Sequence, residues 1–290
     1  MAEKVKKRIT LAQHFFRNPE RVRRLVRESG IGPADTVVEI GPGRGMITEV
    51  LAEVAGRVIA IEKDVELAAQ LKRRFRATPQ VTIITGDFLH QRLALTRYKV
   101  FANIPFNCTA QMMHKLLAMA PAPQSIDLVM QKEAAQKFAG TPVETQMAVL
   151  IKPWFDCTVS YRLQRTDFTP VPSVEIALLH MKQRNPPLIA PDEATLYRRF
   201  VTYSFRRGRR TLQLSYEPIF RKTQWRELAR RLRFPVDATP SQLRFEQWLG
   251  LFMDFQEQGL SSQKGLIAQY QDRGRRPRRK LERRRDRGVQ

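Results

Sequence analysis

Between positions 35 and 135 the chain alternates two apolar patterns. Short, nearly continuous runs rich in β-branched residues occur at TVVEI (36–40), RVIAIE (57–62), VTIITGD (81–87), KVFANI (99–104) and DLVMQ (127–131). Between them, MITEVLAEVA (46–55), VELAAQLKRRF (65–75) and TAQMMHKLLAM (109–119) space their apolar residues at i, i+3 and i+4. Unbroken apolar strands alternating with amphipathic helices predict a parallel sheet with helices on both faces. Asn18-Pro19-Glu20 ahead of Val22, Leu25 and Val26 predicts a helix start, with a side-chain cap and proline in the first turn. DCTVSYRL (156–163) and SVEIALLHM (173–181) read as strands closing the sheet, and the proline-rich QRNPPLIAP (183–191) as a linker. Beyond it ATLYRRFVTYSF, WRELARRL and FEQWLGLFMDF are helical in pattern. The expectation is an α/β domain over 1–182, a small helical domain over 183–256 and a tail over 257–290.

Charge changes the picture of that tail and of the partner. The 290 residues carry 51 Lys+Arg against 28 Asp+Glu, a net charge of +23. Such a balance points to a polyanion, most often nucleic acid. DRGRRPRRKLERRRDR (272–287) has no apolar periodicity and is expected to be disordered, serving either phosphate contact or solubility. Further basic clusters are Arg21, Arg23, Arg24 and Arg27, and Arg206, Arg207, Arg209 and Arg210 around Gly208. No apolar run approaches the roughly 20 residues of a membrane helix. Two cysteines, Cys108 and Cys157, and four scattered histidines supply neither a disulfide framework nor a metal site. Trp154, Trp225 and Trp248 are expected to anchor the two cores.

Glu39-Ile40-Gly41-Pro42-Gly43-Arg44-Gly45 follows one predicted strand and opens a helix. Its E-x-G-x-G-x-G spacing differs from the G-x-G-x-x-G of dinucleotide folds, and no Lys-Ser/Thr pair follows as in a P-loop. Glycines at 41, 43 and 45 admit a ligand close to the backbone. Glu62 ends the next strand, where a carboxylate can accept from both ribose hydroxyls; its alternative is a pair with Lys63 or Arg57. Asp87 and Phe88 end the third, where the acid can accept from an adenine amine and the ring can cover its face; the alternative for Asp87 is a helix cap. These strand ends together describe a pocket for an adenosine without phosphates.

The fourth strand ends Asn103-Ile104-Pro105-Phe106, a turn similar to the (D/N)-P-P-(Y/F) motif of methyltransferases acting on exocyclic amines. The resemblance implies an amine such as adenine N6 as the target. An adenine N6 lone pair is delocalised into the ring, so the amine is a poor nucleophile. The Asn103 side-chain oxygen and the Ile104 carbonyl are placed to accept its two N–H bonds, aiming the lone pair at a methyl sulfonium. Pro105 stiffens the turn and biases Ile104 away from helical geometry. Phe106 offers a stacking face for a base withdrawn from its helix. No general base is required, and catalysis is mostly proximity and orientation.

The blocks QHFF, EIGPGRGMIT, IEKD, GDFL, NIPF, LVMQKEAAQKFAG, KPWFD, FTPVPSVE and TPSQLRFEQWLGLF resemble the Erm family of rRNA adenine N6-methyltransferases, relatives of the KsgA-type dimethylases. NIPF and KPWFD are Erm-like, where the KsgA branch more usually has NLPY. The resemblance implies a Rossmann-like class I methyltransferase sheet with a C-terminal helical domain that binds RNA. It implies S-adenosylmethionine contacts at His14, Phe16, Gly41, Glu62, Asp87 and Asn103. His14 and Phe16 depart from the Asn and Leu of the usual Q-N-F-L. Phe168 is a candidate to close over the target base opposite Phe106, with a packing role as its alternative. The implied substrate is one adenine of 23S rRNA, whose methylation blocks macrolide, lincosamide and streptogramin B antibiotics. A cytoplasmic monomer needing neither metal nor membrane is expected. The competing readings are a 16S rRNA dimethylase of KsgA type and a nucleic-acid-binding relative without catalysis. The intact loop, Glu62, Asp87 and NIPF argue against the latter.

Overall fold

β-Branched and aliphatic runs build the sheet in the computed structural model, which describes residues 14–160, 163–206 and 211–270. In chain order the elements are β1 (Phe15–Phe16), α1 (Pro19–Glu28), β2 (Thr36–Ile40), α2 (Met46–Val54), β3 (Arg57–Glu62), α3 (Val65–Arg74), β4 (Val81–Thr85), β5 (Lys99–Asn103), α4 (Thr109–Leu117), β6 (Ser125–Gln131), α5 (Lys132–Ala139), α6 (Gln146–Ile151), β7 (Phe155–Ser160), β8 (Phe168–Thr169) and β9 (Ile176–Gln183). The helical part follows as α7 (Ala194–Arg206), α8 (Leu212–Ser215), α9 (Lys222–Leu232), α10 (Phe245–Gln258) and α11 (Ser261–Ala268). The strands order β4-β3-β2-β5-β6-β9-β7. β4 through β6 are parallel, and β9 runs antiparallel to both β6 and β7.

Side chains alternate across this sheet with a period of two. Val38, Ile40, Ile59, Ile61, Val100 and Ala102 face a core closed by Met113 and Leu116 of α4 and Phe138 of α5. Val37, Val58 and Phe101 face the opposite core, closed by Leu25 and Val26 of α1 and Val50 and Leu51 of α2. Glu39 and Asn103, in step with Val37 and Phe101, therefore point toward the α1 and α2 side. Asn18 caps α1 as its sequence predicts, its Oδ1 accepting from the Glu20 amide at 2.9 Å. The chain leaves β2 outward through β3 and β4, then returns to β5 on the other side of β2. Crevices in open α/β sheets form at the carboxyl ends of strands where the order reverses, here between β2 and β5.

A third core gathers the C-terminal helices around Trp225, Trp248, Phe200, Phe252 and Phe255. Trp225 and Trp248 are fully buried, and Trp154 packs against Tyr197 at the junction with the sheet. The tail expected from 257 begins later than that: α11 follows, with Ile267 fully buried in the helical core and the Tyr270 ring on Tyr203 at 5.2 Å. One buried isoleucine in a polar segment leaves no periodic signal, which is why the pattern stops short of α11. The Arg-rich segment 271–290 and the Arg207–Arg210 cluster lie outside the described residues. Among the described residues no helix is long and apolar enough to cross a membrane. None of their His, Cys, Asp and Glu side chains form a group of three that could hold a metal.

Candidate functional site

The crevice between β2 and β5 holds a pocket of ≈ 340 Å³. That is within the range of small-molecule sites. It is lined by His14, Phe15, Phe16 and Arg17 of the strap, by Gly41, Pro42, Arg44, Met46 and Ile47 after β2, and by Asn103 to Phe106 after β5, with Thr169. The strap is the short β1–β8 ladder, which pairs Phe15 with Thr169 and Phe16 with Phe168.

Gly41, Gly43 and Gly45 all have positive φ, the region open to glycine. Gly43 shows a second reason for glycine: a Cβ there would lie 2.6 Å from the Phe15 ring. Its amide donates to Glu62 Oε2 at 2.9 Å, and the Asp64 amide donates to Oε1 at 2.9 Å. Glu62 thus pairs with neither Lys63 nor Arg57 but braces the glycine loop. Each carboxylate oxygen keeps a lone pair for a ribose hydroxyl.

Asp87 caps the short turn after β4 through the Leu89 amide and forms an ion pair with Lys63 at 2.8 Å. The Lys63 ammonium holds this carboxyl below its ordinary range. Phe88 corrects an expectation. Its ring is buried in the core beneath the Lys115 ammonium, 5.8 Å from the ring centroid, so it offers no face to a ligand. As the largest apolar side chain of a tight turn over α4, it gains more from burial than from covering a ligand. Like Phe88, Gly43, Gly45, Glu62 and Asp87 stand outside the lining of the pocket between β2 and β5.

At the β5 end, Asn103 Nδ2 donates to the His14 carbonyl at 2.6 Å. With the nitrogen so committed, Oδ1 is the atom left to accept from a ligand amine. The His14 ring donates from Nδ1 to the Pro170 carbonyl at 2.7 Å, joining the strap to the segment after β8. Position 14 serves Asn103 through its backbone, so histidine in place of the usual asparagine keeps the contact. Ile104 buries its side chain and ties its amide to Val129, so its contribution to the pocket is backbone. Phe106 is half-buried with its ring 5.1 Å from that of His14. Phe168 is the second correction. It is 1% exposed and packs on Phe16 at 4.5 Å, so it supports the strap and offers no face to a base; its neighbour Thr169 lines the pocket instead.

Three features were not singled out as sites in the sequence. Phe15 lies over Gly43, Arg17 and Arg44 stand on the pocket wall, and Glu39 is buried beneath the loop. Glu39 accepts from the Thr48 hydroxyl at 2.6 Å, while its Oε1 has no partner among the described residues. Burial pushes its carboxyl from the ordinary 4.5 up to about 8. The folded protein therefore holds a proton that the unfolded chain releases, and stability falls as pH rises between these values. Glu39→Gln is expected to melt roughly 5 °C above the parent at pH 8, the difference closing toward pH 5. Parallel melting profiles across that range would show that Glu39 is ionised in the fold.

Comparison with known proteins fits this geometry. The family model for ribosomal RNA adenine dimethylase matches residues 4–257. An rRNA adenine N-6-methyltransferase of Bacillus licheniformis is 27% identical over 242 residues, covering 83% of this chain and 84% of that protein. A ribosomal RNA small subunit methyltransferase A of Chlorobaculum parvum is 34% identical over 211 residues, covering 70% and 74%. The crystal structure of the 23S rRNA methyltransferase ErmE superposes with a TM-score of 0.78 at 25% identity, over 84% of this chain and 100% of that one. With the E-x-G-x-G-x-G loop, the braced Glu62 and the oriented Asn103 at the β2–β5 switch point, the chain belongs to the ribosomal RNA adenine dimethylase family, the rRNA adenine N6-methyltransferases.

Proposed function

We propose that this protein methylates the N6 of a specific adenine in 23S rRNA, and that the modification confers resistance to macrolide, lincosamide and streptogramin B antibiotics. The observation that carries this reading is the likeness to ErmE over that protein's whole length, helical part included. The second reading, a small-subunit rRNA dimethylase, draws on the relatives of higher identity. Those matches span less of the chain, 70% against 83% in the two relatives above.

S-adenosylmethionine fits the residues present. The glycine loop leaves room beside the backbone, buried Glu62 keeps acceptor capacity for a ribose, and the unpartnered Glu39 oxygen marks polar capacity beneath the loop. Gly41, Gly43, Gly45, Glu62, Asp87, Asn103, Phe16 and the His14 backbone would hold it. When bound, this cofactor supplies a methyl group on an electrophilic sulfonium. The protein's own work is orientation. Asn103 Oδ1 and the Ile104 carbonyl accept the two amine hydrogens, so that the N6 lone pair leaves conjugation with the ring. Phe106 holds the base by its face, and the apolar wall of Phe16, Met46 and Ile47 excludes water. The proton displaced from the methylated amine passes to solvent without a dedicated base. The enzyme acts as a monomer in the cytoplasm, where its substrate is found.

Labelled cofactor offered with naked large-subunit rRNA and with small-subunit particles tests the substrate. Label is expected in the large-subunit RNA; label confined to the small subunit would sink the 23S reading. Resistance is checked separately by expression in a macrolide-sensitive bacterium. The tail has its own test. Because α11 belongs to the helical core, the cut goes after Tyr270. The shortened protein is expected to bind RNA several-fold more weakly with a shallower salt dependence, because phosphate contacts are lost. An unchanged slope would make 271–290 a bystander.

A further inference from the structure

We infer that Arg17 and Arg44 form a phosphate-binding rim that holds the RNA backbone on either side of the extruded adenosine. This deepens the proposed function and rests on it. The two side chains come from different walls of the pocket, Arg17 from the strap just past β1 and Arg44 from the glycine loop after β2. Both are exposed, and neither guanidinium has an ion pair or hydrogen bond among the described residues.

Several arginines nearby are paired, and Arg27 and Arg73, unpaired among the described residues, do not line the pocket. On the same side of the sheet Arg21 pairs with Asp167, Arg23 with Glu20 and Glu53, Arg24 with Glu28, and Arg74 with Glu49. The backbones of both rim arginines are nonetheless fixed. The Arg17 amide donates to the Asp167 carbonyl at 2.8 Å, and the Arg44 carbonyl accepts from Arg74 at 2.8 Å. The Arg44 guanidinium rests over the Phe15 ring, 5.1 Å from its centroid, which leaves its N–H edge free.

No acidic residue lines the pocket. An apolar interior with one oriented amide, and free guanidinium forks at the mouth, suits a neutral aromatic base entering with anions attached outside. Guanidinium groups match phosphodiester oxygens in bidentate geometry. A nucleotide turned out of an RNA strand brings its own 5′ and 3′ phosphates to the opening its base enters. The rim therefore distinguishes an adenosine within a strand from free adenine or adenosine, which the Asn103 turn alone does not.

The test compares the parent, the double variant Arg17→Gln/Arg44→Gln, the double variant Arg17→Lys/Arg44→Lys, and Arg24→Gln as the loss of a single charge outside the pocket. Binding of the RNA that the parent methylates is measured against salt, KM and kcat are measured on the same RNA, and cofactor binding is measured by calorimetry without RNA. The glutamine pair is expected to raise the RNA KM about tenfold and to flatten the log–log salt slope by roughly 1.4, two single-strand contacts. The lysine pair should recover the slope because it keeps the charge. Arg24→Gln should leave the slope and KM as in the parent, and cofactor affinity should stay within twofold in every variant. A salt slope unchanged in the glutamine pair overturns the inference. So does a loss of cofactor affinity as large as the loss for RNA, which would assign the arginines to a cofactor carboxylate. Methylation of small-subunit RNA by the parent would overturn the 23S reading only, because the slopes, read on that RNA, still decide the rim.

Discussion

Asn103→Ala is expected to lower methyl transfer at least about 100-fold, roughly 2.7 kcal/mol in the barrier, with RNA binding kept within a few-fold. The expectation follows from the two ends of one amide. Nδ2 is held by the His14 carbonyl at 2.6 Å, so the side chain cannot rotate freely and Oδ1 stands ready before substrate arrives. Alanine removes the acceptor, and the amine stays conjugated with its ring. Asn103→Asp sharpens the test. It keeps an oxygen for the amine but sets a carboxylate oxygen against the His14 carbonyl, so the strap is repelled where it was held. It should also be strongly impaired. Single-turnover rates at saturating RNA and cofactor measure both effects; full activity in Asn103→Ala would contradict the amine geometry.

Glu62→Ala is the second large effect, and it falls on the cofactor. The carboxylate is 3% exposed and binds the Gly43 and Asp64 amides. Removing it leaves two backbone donors without their partner and releases the loop that sits under Phe15. Hydrogen bonds to a charged group contribute about 1.5–3 kcal/mol each. Loss of those to the ribose alone should raise the cofactor Kd on the order of 100-fold. Glu62→Gln should not rescue it, since one face of its amide would oppose a backbone N–H with its own N–H. Calorimetric titration with cofactor measures this directly. Cofactor affinity within threefold of the parent in Glu62→Ala would remove Glu62 from the cofactor site.

The parallel sheet was legible because its strands are buried on both faces and so are unbroken runs of Val and Ile. The glycine loop and the NIPF turn were legible because their residue types are fixed by backbone approach and by amine chemistry. The strap was not. β1 and β8 are two residues each, about 150 positions apart, and no local pattern marks a ladder that short. Its register decides Phe168: pairing with Phe16 turns that ring into the core and Thr169 toward the pocket. Asp87 allowed two readings in the sequence, an adenine contact or a cap. The fold shows the cap and adds Lys63, because β3 and β4 are adjacent and end level, Glu62 opposite Thr85, while the adenine contact belongs to the proposed cofactor site. That Arg17 and Arg44 have no carboxylate partner among the described residues was invisible in a chain rich in arginine, since only the structure shows which arginines are paired.

The most direct test is to map the methyl group. Large-subunit rRNA treated with the parent protein and labelled cofactor is digested, and the modified nucleoside and its position are identified by mass spectrometry and primer extension. Label is expected on the N6 of one adenosine of 23S rRNA, and absent when Asn103→Ala is used. Label on a pyrimidine, on a ribose oxygen or only on small-subunit RNA would contradict the assignment of this pocket.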